Sequence, residues 1–205
     1  MVELADTIAL GAIGATLGGS NPLPPKNMVG DRQMIDKIQV MNRARLEKRI
    51  AKDISVKNEA AELFEKYKND PLFLSGIVLY CAEGTRLNEN SRKYQLTFTN
   101  SDFNLVSFYC NFLQRYFESI DKKDWRVGLF LYPDIKPREA ISYWSGVVGV
   151  PDKQFIKSQI LESKGTQNRK LRFGTCCVYV NSKDACLTMQ GWIKGVSNNA
   201  AVIQR

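Results

Sequence analysis

"LSGIVLYCAEGTR", residues 74–86, is the stretch on which the fold turns. It opens on an apolar run and closes on an acid, a glycine and a cation. The run predicts a buried helix over about residues 71–82, with Asp70 as N-cap and Pro71 at the first position. Gly84 is expected to stop it. Glu83 then stands at the carbonyl end, where a helix already carries partial negative charge. A chain tolerates that cost most readily where the acid has a task.

Downstream, "KYQLTFTNS" alternates Tyr94, Leu96 and Phe98 with Gln95, Thr97 and Thr99, the period of a half-buried strand. Asn100-Ser101-Asp102 predicts a helix cap, and Leu105, Phe108, Phe112 and Phe117 fall near one face of the helix that follows. "WRVGLFLYP" (125–133) predicts a strand ended by Pro133. "KPREAISYWSGVVGVP" predicts a helix with Pro137 near its start and Gly149 near its end. "LRFGTCCVYVN" (171–181) predicts another strand, after which Ser182 or Asn181 caps a last helix. Short strands with one wet face favour an antiparallel sheet in an α+β domain, with helices packed on one face, over a doubly wound parallel sheet. The domain is expected over residues 71–196, followed by a tail, 197–205.

Upstream, residues 28–70 read as a basic helical segment. Ile35, Ile38, Met41, Leu46, Ile50 and Ile54 fall at helical spacings, and residues 31–57 carry eight Lys/Arg against four Asp/Glu. This predicts a solvated amphipathic helix or a DNA-tracking arm. Residues 1–27 differ: they are rich in Gly and Ala, hold "NPLPPK" and carry little charge. They read as a disordered tail, or as a transfer RNA gene translated as protein, since "GGSNP" can be encoded by a T-arm-like stretch. On the second reading the domain begins near residue 28.

Net charge is +8, which fits an anionic partner such as nucleic acid or a basic surface kept for solubility. The chain has five cysteines, no C-x-x-C and no histidine. That pattern excludes Ser-His-Asp and Cys-His chemistry and supplies no zinc spacing. Reduced, mostly buried thiols in a cytoplasmic protein are expected. No apolar run approaches the roughly 20 residues that span a bilayer. Any catalysis must use carboxylates, lysine, metal ions and water. Tyr94, Phe98, Trp125, Tyr132, Tyr143 and Trp144 could stack on bases, but their spacing within strands and helices favours core packing.

"GIVLYCAEG" (76–84), followed by a strand, "FTNSD" and an amphipathic helix, resembles the LAGLIDADG motif of homing endonucleases and their non-catalytic DNA-binding relatives. The series "LYCAEGT…FTNSD…YWSGVVGVPDKQF…FGTC…GWIKG" is more similar still to bacterial proteins with "LYWAEG", which often carry an N-terminal helix-turn-helix. This resemblance covers about residues 71–195. It implies that two such helices pack at a two-fold axis and bring two carboxylates to the scissile phosphates of double-stranded DNA. Glu83 would be the catalytic, metal-binding acid, with Mg²⁺ as its ion and no small-molecule cofactor. One motif per chain implies a homodimer on a roughly palindromic target, with the sheet in the major groove.

Two positions depart from the motif. Val78 stands where the family has glycine, and Cys81 where it has its first aspartate. A bulky Val78 would spread the paired helices, which points toward a relative that binds without cutting. Lys93, Lys157 and Lys170 are candidates for a catalytic lysine. Arg86, Lys93, Lys157, Lys164, Arg169, Lys170 and Arg172 are the candidate phosphate contacts, the last four gathered in or beside "GTQNRKLRFG" (165–174). Residues 1–70 lack a short helix–turn–helix pattern, so this copy is expected to lack the reading segment of the bacterial relatives. The other reading is a protein-interaction module without a nucleic-acid role, its basic faces serving solubility or an acidic partner.

Overall fold

Asp70 starts the apolar helix as its position predicts. Its carboxylate accepts a hydrogen bond from the Leu72 amide at 3.0 Å, and Pro71 occupies the first turn, where no amide donor is needed. The structure, a computed structural model, describes residues 28–85, 94–118, 120–162 and 171–203. Its elements are α1 (Met28–Tyr67), α2 (Pro71–Glu83), β1 (Gln95–Asn100), α3 (Phe103–Tyr116), β2 (Arg126–Leu131), α4 (Pro137–Val148), β3 (Gln159–Ile160), β4 (Thr175–Asn181) and α5 (Lys183–Ile203). The fold is α+β. Among the described residues no helix is long and apolar enough to cross a membrane.

The sheet order is β1-β4-β2-β3. β4 runs antiparallel to both β1 and β2, while β3 adds a short parallel pairing at the edge of β2. β4 is central, with Cys176, Cys177, Val178 and Val180 buried. The basic stretch 153–172, which carried no strand expectation, supplies β3. Beyond β1, Gly84 bridges Phe98 and the Thr85 amide donates to the Thr97 carbonyl at 2.9 Å.

Period-two alternation turns Leu96, Phe98, Val127, Leu129, Leu131, Cys176, Val178 and Val180 into the core. On this face the Tyr109 ring of α3 stacks on Phe98 with centroids 4.3 Å apart. α2 buries Phe73, Gly76, Ile77 and Tyr80. Phe73 meets Trp192 of α5 edge-on at 4.9 Å and Tyr116 of α3 at 5.0 Å. Asp102 caps α3 by accepting from the Asn104 amide at 2.7 Å. The buried face of α3 is turned from the expected one. Val106, Tyr109, Cys110, Phe112, Leu113 and Tyr116 are inside, while Leu105 is exposed. The Tyr109–Phe98 stack sets that rotation, and the sequence of α3 alone does not contain it. Ser182, not Asn181, caps α5, its hydroxyl accepting from the Ala185 amide at 3.2 Å.

The chain divides into two compact units, Met1–Leu46 and Glu47–Arg205. In the first, Met34, Ile35, Ile38, Val40, Met41 and Leu46 are all exposed. The expected amphipathic face there meets no core among the described residues. In the second, the C-terminal part of α1 joins the core through Val56, Ala60 and Phe64, spaced by one helical turn each. Gly191 and Gly195 let α5 approach it: a Cβ at Gly195 would lie 2.8 Å from the Phe64 ring.

All five cysteines are unpaired, and Cys110, Cys176, Cys177 and Cys186 are buried. Burial pushes the Cys110 thiol up to about 12 and the Cys186 thiol up to about 11, which leaves both protonated and unreactive at neutral pH.

The Asp70 cap also makes stability depend on acid. The Tyr116 hydroxyl donates to its carboxylate at 2.6 Å. That bond, followed by the backbone amides of Leu72 and Phe73, holds Asp70 below its ordinary 3.8. A depressed carboxylate contributes fully above its unfolded pKa and loses the contribution as pH falls through the folded one. Urea midpoints should therefore fall on acidification below about pH 4, and should fall less steeply in Asp70→Asn. Parallel profiles for the two proteins would count against the cap.

Candidate nucleic-acid interface

The residues that alternate with the core positions line the other face of the sheet. Strand register arranges them in rows. Gln95 pairs with Asn181; Thr97 lies opposite Tyr179, which lies opposite Arg126; Thr99, Cys177 and Gly128 form the next row; Thr175, Phe130 and Gln159 form the last. Most of these side chains can donate or accept hydrogen bonds. Gln95, Thr97, Thr99, Tyr179 and Thr175 are half-buried, and Arg126 and Asn181 are exposed.

Several of them hold one another in place. The Gln95 Nε2 donates to Asn181 Oδ1 at 2.6 Å, and Thr97 Oγ1 donates to Gln95 Oε1 at 3.3 Å. Thr99 Oγ1 and Cys177 Sγ share a hydrogen bond at 2.9 Å. Arg126 Nη1 donates to the carbonyls of Trp125 at 2.8 Å and Lys123 at 3.0 Å, leaving its other donors to the surface. Gly128 makes room for Tyr179: a Cβ there would come within 2.9 Å of the ring. Burial raises the Cys177 thiol, and burial followed by the hydrogen bond to Cys177 raises the Tyr179 phenol. Both stay neutral near pH 7, so this part of the face presents hydrogen-bonding groups without negative charge.

Two of the candidate phosphate contacts fall among the described residues. Lys157 is exposed and follows Ile156, whose amide donates to the Val127 carbonyl at 2.8 Å along β2. Arg172 is exposed, with its guanidinium 5.2 Å from the Phe173 ring centroid. Arg86, Lys93, Lys164, Arg169 and Lys170 lie outside the described residues. Lys157 is thus the one candidate catalytic lysine that the described residues place. Of the aromatic residues weighed for base stacking, Phe98, Trp125 and Trp144 are fully buried, and Tyr132 and Tyr143 are half-buried. Tyr94 is exposed, beneath Lys183 Nζ at 5.2 Å.

Glu83 is the last residue of α2, exposed, with no hydrogen-bond or ion-pair partner among the described residues. It closes an apolar helix whose outer side carries exposed Ser75, Val78, Cys81 and Ala82. Val78 is 54% exposed. Gly84 stops α2, as its position predicts. Its φ is −82°, extended backbone, and its donor bonds the Tyr80 carbonyl. Glycine is needed because a Cβ would lie 2.5 Å from that oxygen and 2.6 Å from the Tyr80 ring. The chain therefore passes straight from Glu83 into pairing with β1.

A divalent ion at Glu83 can be judged from the donors present. Among the described residues no three acidic or thiol side chains gather as a metal site. Mg²⁺ is commonly held by one or two carboxylates together with substrate phosphates and water. Glu83 alone is a suitable but incomplete donor set.

The polar rows were half visible in the sequence, where Gln95, Thr97 and Thr99 alternate with core residues. Tyr179 and Thr175 were missed, because "TCCVYV" reads as a continuous apolar run until its neighbours are known, and Arg126, in "WRVGLFLYP", joins them only through the pairing of β2 with β4. No protein-family model matches this chain, and no curated protein or solved structure matches it.

Proposed function

We propose that this protein binds double-stranded DNA through the polar face of its sheet, as a LAGLIDADG-like protein that binds without cutting. The observation that carries this reading is the set of rows from Gln95–Asn181 to Thr175–Gln159. They form a surface of hydrogen-bonding side chains with Arg126 on it, and the domain carries further exposed cations at Lys157 and Arg172. Side chains of this type read base edges in the major groove, while flanking cations meet phosphates. The net charge of +8 supports the same partner.

In this reading two copies meet along the exposed side of α2 and place both Glu83 carboxylates near the DNA. Were such a pair to cut, the two Glu83 carboxylates would hold Mg²⁺, which would supply charge neutralisation and an activated water there. Val78 at the centre of that side favours a wider helix spacing than cutting requires.

Binding and cutting are tested separately. Affinity for a labelled duplex should drop steeply between about 50 and 200 mM salt, with about −0.9 in log–log slope for each neutralised phosphate. Flat or absent binding would favour the protein-interaction module. Incubation of supercoiled plasmid with Mg²⁺ should leave it intact. Nicking that disappears in Glu83→Gln would make the protein a nuclease and overturn the non-cutting half of the proposal; nicking that survives would come from elsewhere.

A further inference from the structure

The second half of α1 holds a concentration of positive charge that the sheet face does not use. Lys48, Arg49 and Lys52 lie within little more than one helical turn and are all exposed. Helical periodicity puts Lys48 and Lys52 on one side, with Arg49 next to them. Like charges at this spacing repel. Asp184 offsets Lys52 at 2.7 Å, but Lys48 and Arg49 have no acidic partner among the described residues.

The location of this turn is set by ion pairs. Asp53, adjacent to Lys52, receives Lys183 Nζ at 2.6 Å, and Lys183 stands over the Tyr94 ring. Tyr94 leads into Gln95, which with Asn181 makes the end row of the polar sheet face. The turn is thus tied, through Lys183 and Asp184 at the start of α5, to the end of the sheet where that row lies. Both tethers also stiffen α1 there, so cations on it lose less freedom when they bind.

We infer that Lys48, Arg49 and Lys52 form a second phosphate-contacting surface for duplex DNA, extending the interface from the Gln95–Asn181 end of the sheet onto α1. This inference rests on the DNA-binding reading above. A repeating polyanion is the partner that relieves repulsion among three clustered cations, and the link through Lys183 and Tyr94 ties them to the end of the sheet proposed to read a duplex.

The test compares salt slopes for the full chain with a labelled random-sequence duplex, by fluorescence anisotropy. Lys48→Gln/Arg49→Gln keeps the Lys52–Asp184 pair and should make the slope shallower by about 1.8 for each bound copy. Adding Lys52→Gln should bring the change to about 2.7 for each copy. Lys66→Gln/Lys68→Gln, at and just beyond the C-terminal end of α1, should leave the slope unchanged. A steep wild-type slope that all these variants share would overturn the α1 surface and leave the sheet interface standing. Absence of salt-dependent binding by the wild type would overturn both. Equal urea midpoints for the wild type and the double variant would show that the change is not one of folding.

Discussion

A Trp192→Ala variant should lose about 3–5 kcal/mol of folding stability. Trp192 is fully buried where α5 meets three other helices. Its ring packs 4.6 Å from Phe117 and 4.9 Å from Phe73, and Phe112 lies 6.1 Å away. Its indole Nε1 donates at 3.0 Å to the Ala60 carbonyl of α1. That oxygen has a second lone pair for its own helix, so the indole bond is an added tie between α1 and α5. Truncation opens a cavity walled by aromatic rings that are themselves wedged and cannot collapse into it. Trp192→Phe restores most of the ring and removes only the donor, so it should cost much less. Urea unfolding at constant m-value measures both. A loss below about 1 kcal/mol for the alanine variant would mean that α1 is not held to the core in this way.

Gly76→Ala should destabilise the protein, although alanine is normally favoured over glycine inside a helix by about 0.5–1 kcal/mol. A Cβ at Gly76 would lie 2.1 Å from Phe112 Cδ2 and 2.3 Å from Cγ. Phe112 has nowhere to go. It is fully buried and bounded by Phe73, Tyr116, Phe117 and Trp192. Either α2 lifts from α3 or the aromatic cluster repacks, and overpacking of this kind costs about 1–3 kcal/mol or more. Gly76→Val should be worse. Gly146 provides the comparison within the same protein. A Cβ there meets nothing within 4 Å, so Gly146→Ala on α4 should gain the ordinary helix preference. Opposite signs at the two glycines, read as shifts in Tm, are the expected result; equal signs would contradict the packing of α2 on α3.

These two glycines show where local reasoning stops. Both sit in helices, and nothing in their immediate neighbours distinguishes them; only Phe112, from another element, does. The same holds for Gly84. Its position after Glu83 reads as a helix stop, yet the need for glycine there comes from the Tyr80 ring and carbonyl. Glu83 was legible as an acid at the wrong end of a helix, and the structure leaves it exposed, as such a residue must be to meet a ligand. The rest of the candidate interface was less legible, since Tyr179 and Arg126 become neighbours of Thr97 only through strand pairing.

What the sequence by itself determined is where elements begin and what type they are. Asp70 and Asp102 accept from amides within a few residues, Pro137 fixes its own backbone angle in a first turn that needs no amide donor, and the alternation from Leu96 to Thr99 is a property of one strand. Such signals need no distant partner. What only the tertiary structure decided is the placement of β4 between β1 and β2, the face of α3 that turns inward, and the polar rows that make a surface. The Gln95–Asn181 bond joins residues 86 positions apart. Pairings at that range are selected by the packing of the whole core, because the free energy of any single strand is nearly the same in several registers until its buried face has a partner.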